Sequence, residues 1–375
     1  MDRSRRTFLT TVCAISVGSG GCLRLRGNAG TTPTQQSPTQ QSPTSPDSIE
    51  DIPATTERWQ YSVDAAVNDA PVVDGSVLYF ASEDGTIHSI DTQGTEQWTT
   101  TITGEIEGGL ATDSTHLFVG TDSGSVYRLT DEGSVDWSVD VGSTVENPPR
   151  VTDTTAYVPT DDGSIVAIAT EDGTERWRFQ PTPSSANMVP AVDDDRLYIG
   201  LYTNSVYALS TDTGEELWET ELDDSILSSP LVDQERVFIG SDDETLYALG
   251  TDSGSEIWQF ETDSAIWTQP AVVDDTVLFG NNAGFLYAVS RDNGSEQWSM
   301  GSEGSLKASP VVDSSTVYSV NDSGQTGALD IESGEPQWAY QLEREVLARP
   351  TLLVDEGILL IATMDGTLHA LEQTV

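Results

Sequence analysis

Positive charge is the scarcest property of this sequence. The 375 residues include 62 Asp and Glu but only 16 Lys and Arg, which gives a formal net charge of −46, and Lys307 is the single lysine. We therefore do not expect nucleic acid as a partner, because contacts with phosphates require basic patches. The three histidines and two cysteines form no cluster with the spacing of metal ligands, so no metal site is predicted.

An acidic excess of this size predicts either disorder or a folded core under an acidic shell. The hydrophobic content of 36% and the nine tryptophans favour a folded chain. The composition resembles that of proteins from extreme halophiles, in which concentrated salt screens the repulsion between carboxylates. An acidic surface on a mesophilic protein is the alternative interpretation.

Long hydrophobic runs are also missing from the sequence. The apolar stretch near the N-terminus, Phe8–Val17, is far shorter than the roughly 20 residues that span a bilayer. It overlaps the end of SRRTFL at positions 4–9, where Arg5 and Arg6 match the twin-arginine export signal. We therefore interpret residues 1–22 as a signal peptide that ends in a lipoprotein cleavage box.

The cysteine content supports this interpretation. Cys13 lies inside the predicted signal, and Cys22 follows Ser-Gly-Gly, which are small residues as in a cleavage box. The mature chain would keep Cys22 alone and form no intrachain disulfide. We predict a two-chain lipid on Cys22, because a single acyl chain anchors a protein only marginally. Ordinary signal cleavage with an incidental Cys22 is the alternative.

Residues 23–56 contain mainly Thr, Pro, Gln and Ser and nothing that could bury a face. This composition predicts a disordered tether that holds an exported protein at the outer face of the cytoplasmic membrane. Asn293 and Asn321 each begin an N-x-S triplet in a predicted turn, so both are candidate glycosylation sites of an exported chain.

The remaining residues, 57–375, have no helical periodicity but repeat a tryptophan every 39 to 41 residues. The series is Trp59, Trp98, Trp137, Trp177, Trp218, Trp258, Trp298 and Trp338. Each unit contains four short runs of β-branched and aromatic residues bounded by Gly and Asp, at 189–193, 196–200, 205–209 and 216–220 in the fourth unit. Four antiparallel strands in about 40 residues predict one blade of a β-propeller.

The turn between the second and third strands carries a glycine in six units, which suits the positive φ of a tight hairpin. Asn204 and Glu244 take its place in the fourth and fifth units. Asparagine accepts a positive φ, whereas we expect a different turn at Glu244.

The two ends of the repeat region determine the number of blades. Seven units run complete from Pro71 to Trp338, and an eighth, beginning at Pro350, lacks its fourth strand. The run 57–61, which contains Trp59, is a strand without a unit. We therefore predict an all-β, monomeric, eight-bladed β-propeller of four-stranded antiparallel blades, with the ring closed by the N-terminal strand completing the last blade.

These units resemble the repeats of the pyrroloquinoline-quinone (PQQ) propeller superfamily. Residues 242–249, DDETLYAL, and 252–258, DSGSEIW, carry its Y-A-L and G-x-x-x-W elements. The resemblance implies that the eight tryptophans of the series dock neighbouring blades together. The superfamily includes quinoprotein dehydrogenases, which hold PQQ and calcium, and a non-enzymatic eight-bladed lipoprotein of an outer-membrane assembly machine.

Catalytic motifs are not found in this sequence. It has no adjacent cysteine pair like that of the quinoprotein enzymes, no Ser-His-Asp order, no phosphate loop and no complete calcium loop. His88, His116 and His369 fall in strands of three different blades, where packing or solvent exposure explains them. We therefore expect no catalytic residue and no cofactor, and a PQQ- and calcium-dependent oxidoreductase or a small-ligand sensor are the alternatives.

Residues that break the repeat are the candidates for binding. Trp267, Lys307, Arg344 and Arg349 lie in the segments between blades, on what is usually the binding face of a propeller. Trp267 is either a binding anchor or packed at the channel mouth. Lys307 and Arg344 mark either an anion-accepting spot or a local charge balance. We predict a membrane-tethered cell-surface scaffold that binds a protein or glycan.

Overall fold

A computed structural model describes residues 52–181 and 188–373 of the chain. The predicted signal with Arg5, Arg6 and Cys22, and nearly all of the predicted tether, lie outside these residues. Within them no helix has the length and apolar character needed to cross a membrane.

Thirty-two strands form eight four-stranded antiparallel sheets, which we number as blades 1 to 8. Blade 1 is β2 (Val72–Asp74), β3 (Val77–Ser82), β4 (Thr86–Asp91) and β5 (Glu96–Thr101); blade 2 is β6 (Leu110–Thr112), β7 (His116–Gly120), β8 (Ser125–Thr130) and β9 (Val135–Asp140); blade 3 is β10 (Arg150–Val151), β11 (Thr155–Pro159), β12 (Ile165–Ala169) and β13 (Glu175–Phe179); blade 4 is β14 (Ala191–Asp193), β15 (Arg196–Gly200), β16 (Ser205–Ser210) and β17 (Glu216–Glu221).

The other four blades follow the same order from the innermost to the outermost strand. Blade 5 is β18 (Leu231–Asp233), β19 (Arg236–Gly240), β20 (Thr245–Gly250) and β21 (Glu256–Glu261); blade 6 is β22 (Ala271–Val273), β23 (Thr276–Gly280), β24 (Phe285–Ser290) and β25 (Glu296–Gly301); blade 7 is β26 (Val311–Val312), β27 (Thr316–Val320), β28 (Gln325–Asp330) and β29 (Pro336–Gln341); blade 8 is β30 (Thr351–Leu353), β31 (Ile358–Thr363), β32 (Thr367–Glu372) and, from the start of the chain, β1 (Glu57–Ser62). The predicted all-β, eight-bladed fold is confirmed.

The hydrophobic core is divided among the interfaces between neighbouring blades. Eight clusters of buried side chains each join one blade to the next, and one of them joins blade 8 to blade 1. In blade 5 the middle strands β19 and β20 are buried on both faces, whereas the outer strand β21 alternates between exposed and covered positions. This pattern follows because each middle strand faces a neighbouring blade on both sides, while each outer strand meets solvent at the rim.

The tryptophan series links each blade to the next one. In seven of the eight cases the indole Nε1 donates a hydrogen bond of 2.7–3.1 Å to a backbone carbonyl in the outer turn of the following blade. Trp258, for example, donates to the Arg291 carbonyl at 2.9 Å. The eighth, Trp338, is 1% exposed and packs in the cluster between blades 7 and 8.

The glycine of the G-x-x-x-W element lies against the tryptophan of the preceding blade. A Cβ added to Gly294 would stand 2.6 Å from Cε3 of Trp258, and Gly294 has a φ of +68°. Larger side chains are therefore excluded there by contact and by backbone conformation. We call the interface between two neighbouring blades a joint. Each G-x-x-x-W element contributes to two joints, because its glycine packs on the preceding blade and its tryptophan on the following blade.

The ring closes through the N-terminal strand, as predicted. β1 pairs antiparallel with β32, from Glu57 opposite Leu371 to Ser62 opposite Thr367. The segment before β1 also reaches blade 7, because the Pro53 carbonyl accepts a hydrogen bond of 2.9 Å from the Ala339 amide. The first described residues therefore hold two adjacent blades.

The propeller has two different faces. We call the crossing face the surface formed by the segments between blades and by the turns between second and third strands. These two sets of loops contact each other, as where the Asp242 amide donates to the Ser225 carbonyl at 2.9 Å. The other surface, formed by the remaining turns, we call the hairpin face.

The turn at Glu244 differs from the expectation. Glu244 has a φ of +71°, close to the +68° of Asn204, so the two turns share one conformation. The Glu244 carbonyl accepts a hydrogen bond of 2.8 Å from the Thr262 amide of the same blade. The Asn204 carbonyl accepts one of 2.8 Å from the Leu222 amide of its own blade. These contacts hold a non-glycine residue in a conformation that its side chain disfavours.

Candidate functional site

A central channel of about 730 Å³ runs between the innermost strands. Its wall includes residues from all eight blades, taken from the inner strands and from the segments just before them. Lys307 and Arg349, two of the residues that break the repeat, line this channel. Arg150, at the start of β10, also lines it and was not identified as a candidate from the sequence.

Trp267 lies on the crossing face and is 38% exposed. Its Nε1 donates a hydrogen bond of 2.6 Å to Oδ1 of Asp242, which belongs to the turn of blade 5. Burial raises the pKa of Asp242, and the bond from Trp267 opposes that shift. The indole is therefore fixed at its polar edge while more than a third of the residue remains open to solvent.

Two further exposed side chains on the crossing face were missed in the sequence. Tyr202, in the turn between β15 and β16, is 40% exposed, and Leu347, between blades 7 and 8, is 38% exposed. Burial and the charge of Asp242 raise the pKa of Tyr202. Tyr202 could have been identified by aligning the units, because the other seven units place Glu, Asp, Asn or Met at its position.

Lys307 and Arg344 each have a carboxylate partner. Nζ of Lys307 lies 3.3 Å from Asp322, and Nε of Arg344 lies 2.6 Å from Asp365. Each of these two cations therefore has an acidic side chain beside it that balances its charge locally. Arg349 instead has no carboxylate within 4 Å in the described part of the chain.

The histidines are not brought together. His88 is buried in blade 1, where its ring stacks on Phe80 at 4.8 Å and its Nε2 lies 3.1 Å from Oγ of Ser82. Burial lowers the pKa of His88. The Ser82 hydroxyl also donates to Asp84 at 2.7 Å, but the residue is 1% exposed and no substrate can reach it.

The other two histidines contact carboxyl groups in separate blades. His116 in blade 2 contacts Asp113 at 3.2 Å, and His369 in blade 8 contacts Glu57 of β1. Across residues 52–181 and 188–373, no three His, Cys, Asp or Glu side chains converge as a metal site requires.

The two candidate glycosylation sites differ in access. Asn293 is exposed in its turn, with its Oδ1 accepting a bond of 3.0 Å from the Ser295 amide. Asn321 is fully buried, and its amide nitrogen donates to the Glu303 carbonyl at 3.2 Å. Only Asn293 presents its amide to a modifying enzyme in the folded chain, so the glycosylation proposal narrows to that residue.

Solved structures share this architecture at low sequence identity. BamB from Moraxella catarrhalis is 20% identical, with a TM-score of 0.74 over 85% of this chain and 100% of that one. The computationally designed Ika8 protein is 18% identical, with a TM-score of 0.75 over 84% and 98% of the two chains. Quinohemoprotein alcohol dehydrogenase from Comamonas testosteroni is 14% identical, with a TM-score of 0.73 over 88% and 78%. These likenesses establish the fold alone.

Comparison with curated proteins gives no significant match. A family model described as outer membrane protein assembly factor BamB matches residues 51–102, 83–190 and 182–374. The matched segments cover nearly all of the predicted propeller and include the whole tryptophan series. The chain therefore belongs to the BamB-type family of PQQ-like propellers.

Proposed function

We propose that this protein is a non-catalytic scaffold at the cell surface, which binds a protein or glycan partner through its crossing face. The observation that carries this proposal is the exposure of Tyr202, Trp267 and Leu347 on that face. Exposed aromatic side chains are frequent anchors of binding interfaces, since they bury a large area at a small cost in side-chain entropy.

The distribution of exposed apolar side chains supports the choice of face. Tyr202 and Trp267 are the two aromatic residues among the exposed large hydrophobic side chains of the described ranges. The exposed aliphatic residues elsewhere are Val135, Leu217 and Ile257 on outer strands and Val354 on the hairpin face. Both exposed aromatic residues thus lie on the crossing face together with Leu347, whereas the other four lie on outer strands or on the hairpin face.

Family membership supports a binding role in the cell envelope. The matching family is described by its part in assembling outer membrane proteins, and the Moraxella catarrhalis structure carries the same name. Under this proposal, Arg5 and Arg6 direct export and Cys22 carries the lipid that tethers the propeller to the membrane. Monomeric assembly and carriage of glycan on Asn293 belong to the same proposal.

Site-specific photo-crosslinking in the native host tests the crossing face. We expect a photoreactive residue at Tyr202 or Trp267 to yield a discrete adduct of higher mass, because these side chains would face the partner. The same residue at Leu217 or Ile257, on outer strands, is the matched control. Protease or glycosidase treatment of the adduct then identifies a protein or a glycan partner.

The proposal fails if positions on the crossing face give no adduct, or if the rim positions give the same adduct in the same yield. Trp267→Ala provides a second readout, since it removes the anchor without touching an interface between blades. The purified variant should keep the melting temperature of the wild type and lose the adduct formed at Tyr202.

A further inference from the structure

The channel wall differs from the rest of the molecule in its charge. Among the described residues, six charged side chains line it, three acidic and three basic: Asp69, Glu107, Glu146, Arg150, Lys307 and Arg349. The chain as a whole has 62 acidic and 16 basic residues. An electrically balanced wall inside so acidic a protein means that basic residues are concentrated in the channel.

Both channel arginines break the internal repeat. The positions equivalent to Arg150 in the other units hold small or aliphatic residues, namely Val72, Ala111, Ala191, Leu231, Ala271, Val311 and Thr351. The positions equivalent to Arg349 hold Ala70, Gly109, Pro148, Val189, Ser229, Gln269 and Ser309. The propeller scaffold therefore does not require an arginine at either position.

These two arginines also differ from most others in the chain. Of the ten arginines in the described ranges, six form an ion pair with a carboxylate within 4 Å. Arg150 and Arg349 form none there. Burial and the positive charge of Arg349 both lower the pKa of Arg150, so the two guanidinium groups interact unfavourably across the channel.

One acidic residue of the wall, Asp69, interacts with Arg349 but is also bound by the wall itself. Burial raises the pKa of Asp69, whereas the charge of Arg349 lowers it. Oδ1 of Asp69 also accepts a hydrogen bond of 2.7 Å from the Ala70 amide. The carboxylate also occupies the space that a side chain at Gly109 would fill, since a Cβ there would stand 2.1 Å from Oδ2. Asp69 is thus held against the wall between blades 1 and 2.

We propose that the channel binds a small oxyanion with at least two negative charges, held between Arg150 and Arg349. Guanidinium groups bind carboxylate and phosphate oxygens in pairs of hydrogen bonds. Blades 3 and 8 stand three places apart in the ring, so the arginines reach the ligand from different sides. A cavity of about 730 Å³ has the size of a small-molecule site.

Isothermal titration calorimetry of the full propeller tests this site, with succinate, citrate and inorganic phosphate as probes. We expect one ion per chain and a loss of affinity of about tenfold or more in Arg150→Gln and in Arg349→Gln. Arg58→Gln is the matched control. Arg58 is exposed on β1, so this substitution removes the same charge far from the channel. Preference for citrate or succinate over phosphate would identify a di- or tricarboxylate, and the reverse a phosphorylated ligand.

A measurement without ligand separates binding from a structural role. Because the two guanidinium groups repel each other, either substitution should leave the melting temperature unchanged or raise it, whereas a structural arginine would lower it. Absence of binding for all three probes, equal binding by the channel variants and wild type, or equal loss in Arg58→Gln would overturn the proposal. The site does not depend on the crossing-face partner, so a failed crosslink and a failed titration are separate results.

Discussion

Single residues determine how tightly one blade is joined to the next. The contact between Gly294 and Trp258 recurs in seven joints with the same two residue types, from Gly94 on Trp59 to Gly334 on Trp298. An indole that fills a wedge between sheets buries about 150–250 Å². The glycine permits this burial because any Cβ would occupy the space of the ring.

We expect Gly294→Ala to lower the free energy of unfolding by about 3 kcal/mol, which combines left-handed backbone strain with overpacking against Trp258. Gly75→Ala is the control, because Gly75 also has a positive φ of +57° but no atom within 4 Å of its added Cβ. It should cost only about 1 kcal/mol. Equal losses in denaturant titrations of the two variants would show that the tryptophan contact contributes nothing.

The joints also explain which residues were difficult to identify from the sequence. The tryptophans stand out because their spacing is regular, whereas Tyr202 and Arg150 matter because they depart from the repeat. Recognising a departure requires the units to be aligned residue by residue and the faces of the ring to be known. The prediction for the turn at Glu244 was wrong for another reason, since contacts with a neighbouring segment override the preference of glutamate for a negative φ.

At the scale of elements, closure of the ring depends on β1. This strand pairs with β32, and its Trp59 donates a hydrogen bond of 3.0 Å to the Thr92 carbonyl in blade 1. Blade 8 would otherwise end at β32, with one row of unpaired backbone groups. The sequence predicted this element correctly, because an unassigned strand at the start of the repeat region matches the fourth strand that the last unit lacks.

We expect a chain that begins at Val63 to melt roughly 10 °C or more below one that begins at Ile52, since loss of a docked indole alone costs about 3–5 kcal/mol. The exposed edge of β32 should also cause self-association. Thermal unfolding and light scattering check the two effects. Trp59→Ala in the longer chain should give an intermediate melting temperature, and an unchanged melting temperature in the shorter chain would contradict a closing role for β1.

At the scale of the whole molecule, negative charge covers the rim. Six of the eight outer strands begin with an exposed glutamate: Glu57, Glu96, Glu175, Glu216, Glu256 and Glu296. With a net charge of −46, these carboxylates repel one another in the folded state more than in an expanded chain. Interfaces between blades oppose this repulsion, and salt reduces it.

We expect the melting temperature to rise as KCl increases from about 0.1 M to about 1 M, where the screening length falls from about 10 Å to about 3 Å. Sucrose, which is excluded from protein surfaces but does not screen charge, is the control. An increase in melting temperature that is larger in KCl than in sucrose would support an acidic shell adapted to salt. A melting temperature that is insensitive to KCl would remove the argument for a halophilic origin.

The pairing of β1 with β32 also constrains when folding can finish. Thr56 and Glu372 contact each other although 316 positions separate them in sequence. A ribosome releases β1 first, yet its partner strand β32 is synthesised only after the thirty strands that lie between them in sequence. A nascent chain can therefore complete the ring only after β32 has emerged from the ribosome, and this pairing is the last to become possible. A route that exports folded cargo, as residues 4–9 predict, would have to wait for this last pairing before the protein leaves the cytoplasm.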